Sequence, residues 1–577
     1  MDLLLGNDQI AKRLNEIRTL MELGGEPFFK FMAYERAASA VENAGPLKEM
    51  LATGELVKLP GIGKSIAATI AELCERGDCE LLRDLYVRFP ATIFEVLGIS
   101  GIGIKTAGML FERYGIGSLC DLEAAVESGA LEEIPRMGKK SIENIKRGIL
   151  AYKGRQNRTA LGAALRVARG VLEYLHAGPP TDRLTYAGSL RRAEVTVGDI
   201  DIVCTSNAAA AVIDYFVKWE RAQSILAEGP TKASIWLQDG LQIDLRVLPD
   251  AVYGNLLQHF TGSREHNIQL REYAVRKGLR VSENGILELE TGRSITCRTE
   301  EEVYAALDMQ YVPPELRSGI GEIEAARARE LPELVRLADI RGDFHMHSTW
   351  SDGRDSLETM IAQAARRGYE YHAISEHSWG RGPKFGLAPT QIREQREYIR
   401  EVGKQHAIRT LCSSEVDILA DGSMDYDDAV LAQFDIVIGS IHSALNQSRD
   451  ELTRRLIRAC ENPYVNIIGH PTGRYGSFGG YEFDYDSVFA AAARTGTALE
   501  IDGQEGRLDL PAPLARRASE FGVTFTTDSD AHSMAQLANI DLAVSQARRA
   551  GLRKEQVLNT YAYEDVKAFV EKKRVRA

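Results

Sequence analysis

The chain of 577 residues is poor in cysteine: it has seven, an odd number, and none of them forms a Cys-x-x-Cys pair. The sequence therefore predicts reduced thiols in a cytoplasmic protein, and not a disulfide framework or a thiolate zinc site. No window approaches 18 uninterrupted apolar residues, which excludes a membrane-spanning helix. Residues 1–6 carry no basic residue ahead of their short apolar run, which argues against a secretory signal.

Positive charge is also scarce, since 70 lysines and arginines face 82 aspartates and glutamates and give a net charge of −12. The imbalance is uneven: residues 1–300 hold 37 basic and 39 acidic residues, whereas residues 301–577 hold 33 and 43. Eight of the eleven histidines fall at or after His345. The near-neutral first part can still form a basic groove, and the acidic, histidine-rich second part suggests metal binding.

The length predicts three to five domains, and the hydrophobic periodicity changes along the chain. The first 150 residues have the helical period, most clearly at 8–23 and 27–44. Strand-like alternation follows at 184–187, 200–203, 235–237 and 241–248. Residues 315–338 are polar and helical in pattern, and we expect them to link two domains.

A regular alternation of short apolar runs and helices begins after Asp339. This order predicts roughly parallel strands in βα units, compatible with a barrel. The predicted strands are 371–375, 434–440, 466–469, 498–502 and 523–528.

A short glycine pattern recurs in the helical part, at residues 59–67, 99–107 and 134–142. In the first two copies a pair of glycines allows a tight turn between two helices, and the second helix offers free N–H groups to an anion. The pattern resembles the helix-hairpin-helix motif, which implies a grip on DNA backbones without base reading. Arg136 replaces the first glycine of the third copy. The candidate DNA contacts are Gly61, Gly63, Lys64, Gly101, Gly103 and Lys105.

Residues 151–172 add a run of basic side chains with no acidic residue among them. Taken alone, a solvated helix face explains such a run equally well. Beside the hairpins, we expect it to contribute to a nucleic-acid groove. The basic residues are Lys153, Arg155, Arg158, Arg166 and Arg169.

Three aspartates on predicted strands form the first candidate active site. Asp199 and Asp201 lie two apart on one strand, so both carboxylates face the same side, and Asp244 lies on a later strand. Such oxygen donors suit two Mg²⁺ or Mn²⁺ ions, which would activate a hydroxyl and neutralise a triphosphate. An isolated Asp-x-Asp is more often a solvated turn. Here the preceding Gly188-Ser189 turn and Arg192 add groups able to bind phosphate, which makes the pattern more specific.

With these motifs the chain resembles the family X DNA polymerases of the nucleotidyltransferase superfamily. The resemblance rests on Gly188-Ser189-Leu190-Arg191-Arg192, Gly198-Asp199-Ile200-Asp201 and Phe260-Thr261-Gly262-Ser263. It implies catalysis by Asp199, Asp201 and Asp244, with gapped or primer–template DNA and deoxynucleoside triphosphates as partners. It also implies a nucleotide site built from Gly188, Ser189, Arg192, Gly198, Phe260, Gly262, Asn267 and Arg271.

Two positions depart from that family. His259 stands where a tyrosine is usual before the phenylalanine, and that position helps to exclude ribonucleotides, so sugar discrimination stays open. Thr69 occupies the position of the Schiff-base lysine of the lyase members. Threonine cannot form an imine, so we do not expect lyase activity by that route.

Six histidines and three carboxylates at or near predicted strand ends form the second candidate site. Strand ends converge on one face of a βα barrel, so these side chains can bind two or three metal ions. Mixed nitrogen and oxygen donors suit Zn²⁺, Mn²⁺ or Fe²⁺. His372 and His406 lie in no such motif and are expected in the core or at the surface. The nine residues are His345, His347, Asp352, His377, Glu415, His442, His470, Asp530 and His532.

These motifs resemble the polymerase and histidinol phosphatase (PHP) domain over residues 339–577. The motifs include Asp343-Phe344-His345-Met346-His347, Gly469-His470-Pro471 and Asp530-Ala531-His532. Glu376 replaces the usual aspartate before the histidine. The resemblance implies that all nine metal-ligand positions are filled, and hence hydrolysis by a metal-bridging hydroxide.

The sequence therefore predicts a repair polymerase that fills short gaps, with a carboxy-terminal 3′–5′ exonuclease or abasic-site endonuclease. The alternatives are a non-catalytic DNA-end scaffold, and a nucleotidyltransferase for RNA or a small molecule with a phosphatase domain. A monomer without membrane contact is expected. The expected domains are helical DNA-binding 1–85, helical fingers 86–155, α+β palm 156–250, thumb 251–315, linker 316–338 and distorted β/α-barrel PHP domain 339–577.

Overall fold

A computed structural model describes most of the chain, and it divides into two compact units, Met1–Asn157 and Arg158–Ala577. Within the described residues, no helix combines the length and the apolarity needed to cross a lipid bilayer. All seven cysteines are free thiols, as predicted. The described residues are 7–42, 47–52, 54–59, 61–99, 102–134, 137–138, 141–146, 148–149, 158–238, 240–382, 385–476 and 479–576.

The first unit is helical, as its periodicity predicts, and one apolar core runs through it. Apolar residues at helical spacing, such as Ile66, Ile70 and Leu73, face that core. Its α-helices are Asn7–Leu23, Phe28–Glu42, Leu47–Ala52, Lys64–Arg76, Glu80–Arg88, Ile93–Leu97, Ile104–Tyr114 and Leu119–Glu127, with 3₁₀ turns at Glu55–Lys58 and Ala130–Glu133.

A five-stranded sheet is the centre of the second unit's amino-terminal part, in the region expected to be the palm. The strands, in spatial order, are Arg183–Tyr186, Asp199–Thr205, Gln242–Leu248, Lys232–Leu237 and Ala222–Glu228. Helices Leu161–His176 and Ala209–Phe216 contribute apolar residues to its core. The two strands with the candidate aspartates are neighbours and run parallel.

The region expected to be the thumb joins helices to a small antiparallel sheet around its own core. Only Glu322–Ala328 is α-helical between 315 and 338, because Pro314, Gly319, Gly321 and Pro332 interrupt the pattern. Ile323, Ala326 and Leu334 of this stretch are buried in the thumb core. The helices are Tyr253–Thr261, Arg264–Arg276 and Glu300–Ala306, and the strands are Leu279–Ser282, Gly285–Glu288 and Ser294–Ile295.

The carboxy-terminal part is a barrel of seven parallel strands, as the βα alternation predicts. A parallel bridge between Met346 and Ala531 brings the chain after the first strand beside the chain after the last, and so nearly closes the sheet. The strands are Gly342–Asp343, Tyr371–His377, Arg409–Asp417, Ile436–Ser440, Ile467–Ile468, Ala498–Asp502 and Phe525–Asp528. The surrounding helices are Leu357–Arg366, Ile392–Gln405, Asp428–Leu431, Arg449–Glu461, Tyr485–Thr495, Ala512–Glu520, Ile540–Arg549 and Tyr563–Arg576.

Two details of the barrel differ from the sequence prediction. His345 and His347 follow the short strand Gly342–Asp343 and are not part of a regular strand, although Met346 between them keeps a parallel bridge. The long strand Arg409–Asp417 is missing from the predicted strand ranges, although Glu415 is expected near a strand end. Its centre, Cys412 to Ser414, is buried and small or polar, so it lacks the apolar run that marks the other strands.

The barrel packs directly against the palm. Leu508 and Leu542 are buried among the apolar side chains of the palm core. Arg549 donates to the Arg192 carbonyl oxygen at 2.5 Å and to Glu194 at 2.8 Å. These contacts make the palm and the barrel parts of one unit.

Candidate active sites

The palm aspartates meet on one face of the sheet. In the parallel register Asp201 pairs with Asp244, and Asp199, two residues before Asp201, faces the same side. Gly188 sits against them with φ +60°, and a Cβ there would lie 2.0 Å from an Asp201 oxygen. Only glycine therefore fits the turn at this distance from the carboxylates.

The carboxylates are placed as a cation would require. Burial and the neighbouring charges of Asp199 and Asp244 raise the pKa of Asp201 to about 8. Gln242 holds Asp244 by donating to both of its oxygens at 3.0 and 2.9 Å. A group of like charges beside a half-buried carboxylate fits a divalent metal ion, which supplies the missing positive charge.

Arg192 ties the palm turn to the thumb. Its Nη1 donates to the Thr261 carbonyl oxygen at 2.6 Å and lies 3.2 Å from where a Cβ on Gly262 would be. Gly262 has φ +67°, a conformation that favours glycine. Ser189 lies in the short helix Gly188–Arg191, and Gly198 directly precedes the strand Asp199–Thr205. The structure thus brings both expected halves of the nucleotide site together.

The other residues expected to contact the nucleotide differ in their burial and in the contacts that they already make within the protein. The Phe260 ring is half-buried and carries the Arg246 guanidinium 5.4 Å from its centre. The Asn267 side chain is buried, donates to the His259 carbonyl oxygen and accepts from Gln258, each at 2.8 Å. Arg271 is exposed and uses Nε to donate to the Asn267 carbonyl oxygen at 3.0 Å.

A buried ion network that was not predicted supports this turn. Glu300 accepts from Arg191 and from Arg317, each at 2.6 Å, and Arg191 also donates to the Thr261 hydroxyl. Burial opposes the charge of Glu300, but Arg317 and Arg191 hold its pKa at about 2. The network links palm and thumb through residues more than 100 positions apart, so no local pattern reveals it.

The two departures from the family pattern are placed as follows. His259 is half-buried with its ring 5.3 Å from Phe260, and burial lowers its pKa. Thr69 is buried in the helix Lys64–Arg76 and donates to the Ser65 carbonyl oxygen at 3.3 Å.

Each of the first two hairpins presents a helix start, as predicted. Gly63 and Gly103 precede the helices Lys64–Arg76 and Ile104–Tyr114 with φ near −87°, which does not require glycine. A Cβ at either position would meet nothing within 4 Å in the described protein. The space beside these exposed glycines is therefore open for a ligand that approaches the helix N-terminus closely.

The remaining hairpin residues are consistent with that surface. Gly61 forms its turn with φ +81°, and Lys64 and Lys105 are exposed. In the third copy the amides of Ser141 and Ile142 bond to the Gly138 carbonyl oxygen and start a helical turn. Gly101, Arg136, Lys153 and Arg155 lie outside the described residues.

All nine expected metal ligands of the barrel converge at the carboxyl ends of its strands. Glu415 is the centre: its carboxylate lies 2.9 Å from His377, 2.7 Å from His470 and 3.1 Å from His442. Asp530 lies 3.3 Å from His347 and 3.6 Å from His345. Asp352 lies 3.3 Å from both His377 and His532.

The cluster fits metal ions by its donor atoms. Three overlapping groups of side chains each place their donor atoms within 4.8 Å of one another. Within the described residues, buried ring nitrogens of His345, His347, His377 and His470 have no hydrogen-bond partner. Buried donors left without partners in a concave site fit transition-metal ligation. The groups are His347, Asp352, His377 and His532; His345, His347 and Glu415; and His377, Glu415 and His442.

Carboxylates behind the ligands were missed by sequence reasoning. Glu500 lies 2.6 Å from His345 Nδ1 and accepts from the His470 amide at 2.6 Å, and Asp417 lies 2.6 Å from His442 Nδ1. A carboxylate that accepts from Nδ1 leaves Nε2 free to face the cluster. The sequence does contain a signal for Asp417: it lies two residues after Glu415, so both side chains are on the inner face of one strand.

Glu376 also has a supporting position. Its buried carboxylate accepts from the hydroxyls of Ser348 and Ser351 and so holds the loop that carries Asp352. Burial raises the pKa of Glu376 to about 7. His372, which was expected to have no site role, is buried away from the cluster groups, and His406 is exposed at a helix end.

Comparisons with known proteins agree with this architecture. Four families match: a helix-hairpin-helix domain at residues 5–79, a SAM-like helix-hairpin-helix tandem at 93–149, the DNA polymerase beta thumb at 256–318 and the PHP domain at 343–498. Hairpins, polymerase thumb and PHP barrel in one chain define a DNA polymerase class with a metal-dependent phosphoesterase-type domain.

Sequence identity to individual relatives identifies the family within this class. The chain is 36% identical to the DNA polymerase/3′-5′ exonuclease PolX of Bacillus subtilis (strain 168) over 568 residues, which cover 98% of this chain and 99% of the relative. A probable phosphatase of Syntrophotalea carbinolica is 29% identical over 229 residues, covering 38% of this chain and 90% of the relative. A probable phosphatase of Thermoanaerobacter sp. (strain X514) is 30% identical over 244 residues, covering 40% and 95%. The chain belongs to the PHP-containing family X DNA polymerases.

Proposed function

We propose that this chain extends DNA primers at short gaps, and that its barrel hydrolyses phosphodiesters at 3′ ends or abasic sites. The observation that carries the polymerase assignment is the lateral pairing of Asp201 with Asp244 beside the Gly188 turn. The relative named as a polymerase and 3′-5′ exonuclease supports both activities.

In the palm, bound Mg²⁺ or Mn²⁺ would lower the pKa of the primer hydroxyl and neutralise triphosphate charge. Asp199, Asp201 and Asp244 would hold these ions in place, because their strands belong to one sheet. Ser189 and the amides of the Gly188 turn bind the triphosphate, and Arg192 adds a positive charge beside it. Arg192 reaches the thumb carbonyl of Thr261, so the two halves of the nucleotide site stay aligned.

In the barrel, two or three bound Mn²⁺, Zn²⁺ or Fe²⁺ ions would supply a hydroxide nucleophile at neutral pH. The nine side chains fix these ions, while Glu500 and Asp417 orient the imidazoles of His345 and His442. Arg354, Arg381 and Arg507 line the same pocket and attract a phosphodiester anion.

Primer extension on gapped DNA tests the polymerase, and degradation of a 5′-labelled oligonucleotide tests the barrel. Asp244→Ala should abolish extension and retain degradation, whereas the double change of His345 and His347 to alanine should do the reverse. Asp214→Ala, on the exposed face of the helix Ala209–Phe216, is the matched control for both assays. Extension by Asp244→Ala at the wild-type rate would overturn the palm assignment.

We also propose that the chain acts as a cytoplasmic monomer with the domain boundaries expected from its sequence, except that residues 323–334 of the expected linker pack in the thumb core. Seven free thiols, six of them buried, suit a reducing compartment. Size-exclusion chromatography with light scattering at several concentrations tests the monomer. A stable dimer mass at the lowest concentration would contradict it.

A further inference from the structure

Tyr475 is an exposed aromatic side chain at the mouth of the metal pocket. Its side chain lines the 310 Å³ pocket that also contains Asp352, His377 and Glu415. It remains 57% exposed. The same side chain lines a second cleft of 760 Å³, which runs between the palm helix Leu161–His176 and the barrel.

The ring is held in one orientation from below. The Gly476 amide donates to the Gly506 carbonyl oxygen at 2.8 Å, which fixes the backbone beside Tyr475. A Cβ on Gly506 would lie 3.1 Å from the ring, so the ring packs closely on this glycine. The Arg507 guanidinium lies 5.3 Å from the ring centre. A fixed aromatic platform with open space on its other side binds flat, apolar surfaces well.

The positive charges that line the pocket favour an anionic ligand such as a nucleic-acid strand. Arg354 and Arg381 line the pocket, are exposed, and make no ion pair with the acidic side chains that the structure describes. Arg507 lies 3.5 Å from both Asp502 and Asp530 and is therefore partly neutralised. Free arginines beside an exposed aromatic ring form the combination that binds single-stranded nucleic acid, through phosphates and base stacking together.

We propose that Tyr475 stacks on a nucleobase next to the phosphodiester that the barrel hydrolyses, while Arg354 and Arg381 bind neighbouring phosphates of the same unpaired strand. The cleft along the palm helix takes the rest of that strand. This assignment rests on the proposed phosphodiesterase function. It adds that the site takes a single strand and binds it through a base.

The test measures degradation of a single-stranded oligonucleotide by the full chain with Mn²⁺, as KM and kcat. Stacking contributes about 1–3 kcal/mol per base, so Tyr475→Ala should raise KM roughly 5- to 160-fold with little change in kcat. Tyr475→Leu keeps an apolar side chain, although a smaller one, without the ring and should behave like Tyr475→Ala, whereas Tyr475→Trp should restore most of the affinity. Tyr398→Ala, which removes an exposed tyrosine outside this pocket, is the control and should leave KM unchanged.

Abasic substitution separates stacking from packing. Each of the last three nucleotides is replaced in turn by a tetrahydrofuran residue. At the stacked position wild type should lose the same factor as Tyr475→Ala loses on normal DNA, and Tyr475→Ala should lose nothing further. If both proteins respond equally at every position, Tyr475 is a packing residue and the proposal fails. If wild type degrades no DNA while extending primers, the phosphodiesterase function itself fails.

Discussion

The orientation of His345 by Glu500 gives the sharpest test of the metal cluster. In Glu500→Gln the shape of the side chain is kept, but an amide has one acceptor and one donor end. Glu500 lies 2.6 Å from His345 Nδ1 and accepts from the His470 amide at 2.6 Å, so it accepts at both ends when Nδ1 carries the proton and Nε2 faces the cluster. The variant must therefore lose one of these hydrogen bonds and place two donors against each other.

The loss should appear as weaker metal binding. Changes to such supporting carboxylates cost about 10–100-fold in metal affinity or activity, and both bonds here are short and fully buried. We expect the Mn²⁺ concentration for half-maximal DNA degradation to rise by that factor, with primer extension unchanged. Glu520→Gln, exposed on the same barrel, is the control. A wild-type Mn²⁺ dependence in Glu500→Gln would refute the idea that His345 binds metal through Nε2.

Three further predictions concern the polymerase half. Asp201→Asn should raise the thermal midpoint of the metal-free chain at pH 8 but not at pH 3.5: the folded pKa of about 8 exceeds the unfolded value of 3.8, so this carboxylate costs stability as pH rises between them. Calorimetry with a chelator measures this, and equal midpoints at pH 8 would contradict it. Lys64→Ala and Lys105→Ala should each reduce the slope of log affinity against log salt by about 1, whatever the DNA sequence; an unchanged slope in filter binding would count against hairpin contacts. Arg549→Ala frees the Arg192 carbonyl and should raise KM for deoxynucleotides several-fold with kcat nearly unchanged, and steady-state kinetics with an unaltered KM would exclude this positioning role.

Local patterns predicted most of the secondary-structure elements, and the side chains expected as barrel ligands lie together in the structure. The period of two placed Asp199 and Asp201 on one face, and glycine spacing located the starts of two hairpin helices. The same reasoning missed the strand Arg409–Asp417, although Glu415 on it is the centre of the metal cluster. Of its buried serines, Ser414 donates to the Glu376 carbonyl oxygen of the neighbouring strand, a contact that the sequence of one strand does not reveal.

Residues that support a site from far along the chain were not predictable. Glu500 meets His345 across 155 positions, and Arg549 meets Arg192 across 357. Each of these is an ordinary charged residue in its own segment, and its role arises only when tertiary packing creates the neighbour. A single sequence shows periodicities of two or 3.6 residues, but it does not show which distant residues come into contact in the folded chain.

The palm core contains Leu508 and Leu542, and this has a consequence for the order of synthesis. The ribosome delivers the palm strands first, and at about 5–20 residues per second Leu542 follows the last palm strand by roughly 15–60 s. During that interval the nascent palm has an open core, and the turn at Arg192 lacks its contact with Arg549. A chain whose synthesis stops before the barrel is complete should therefore have no polymerase activity. Every chain with polymerase activity should then also carry the complete barrel.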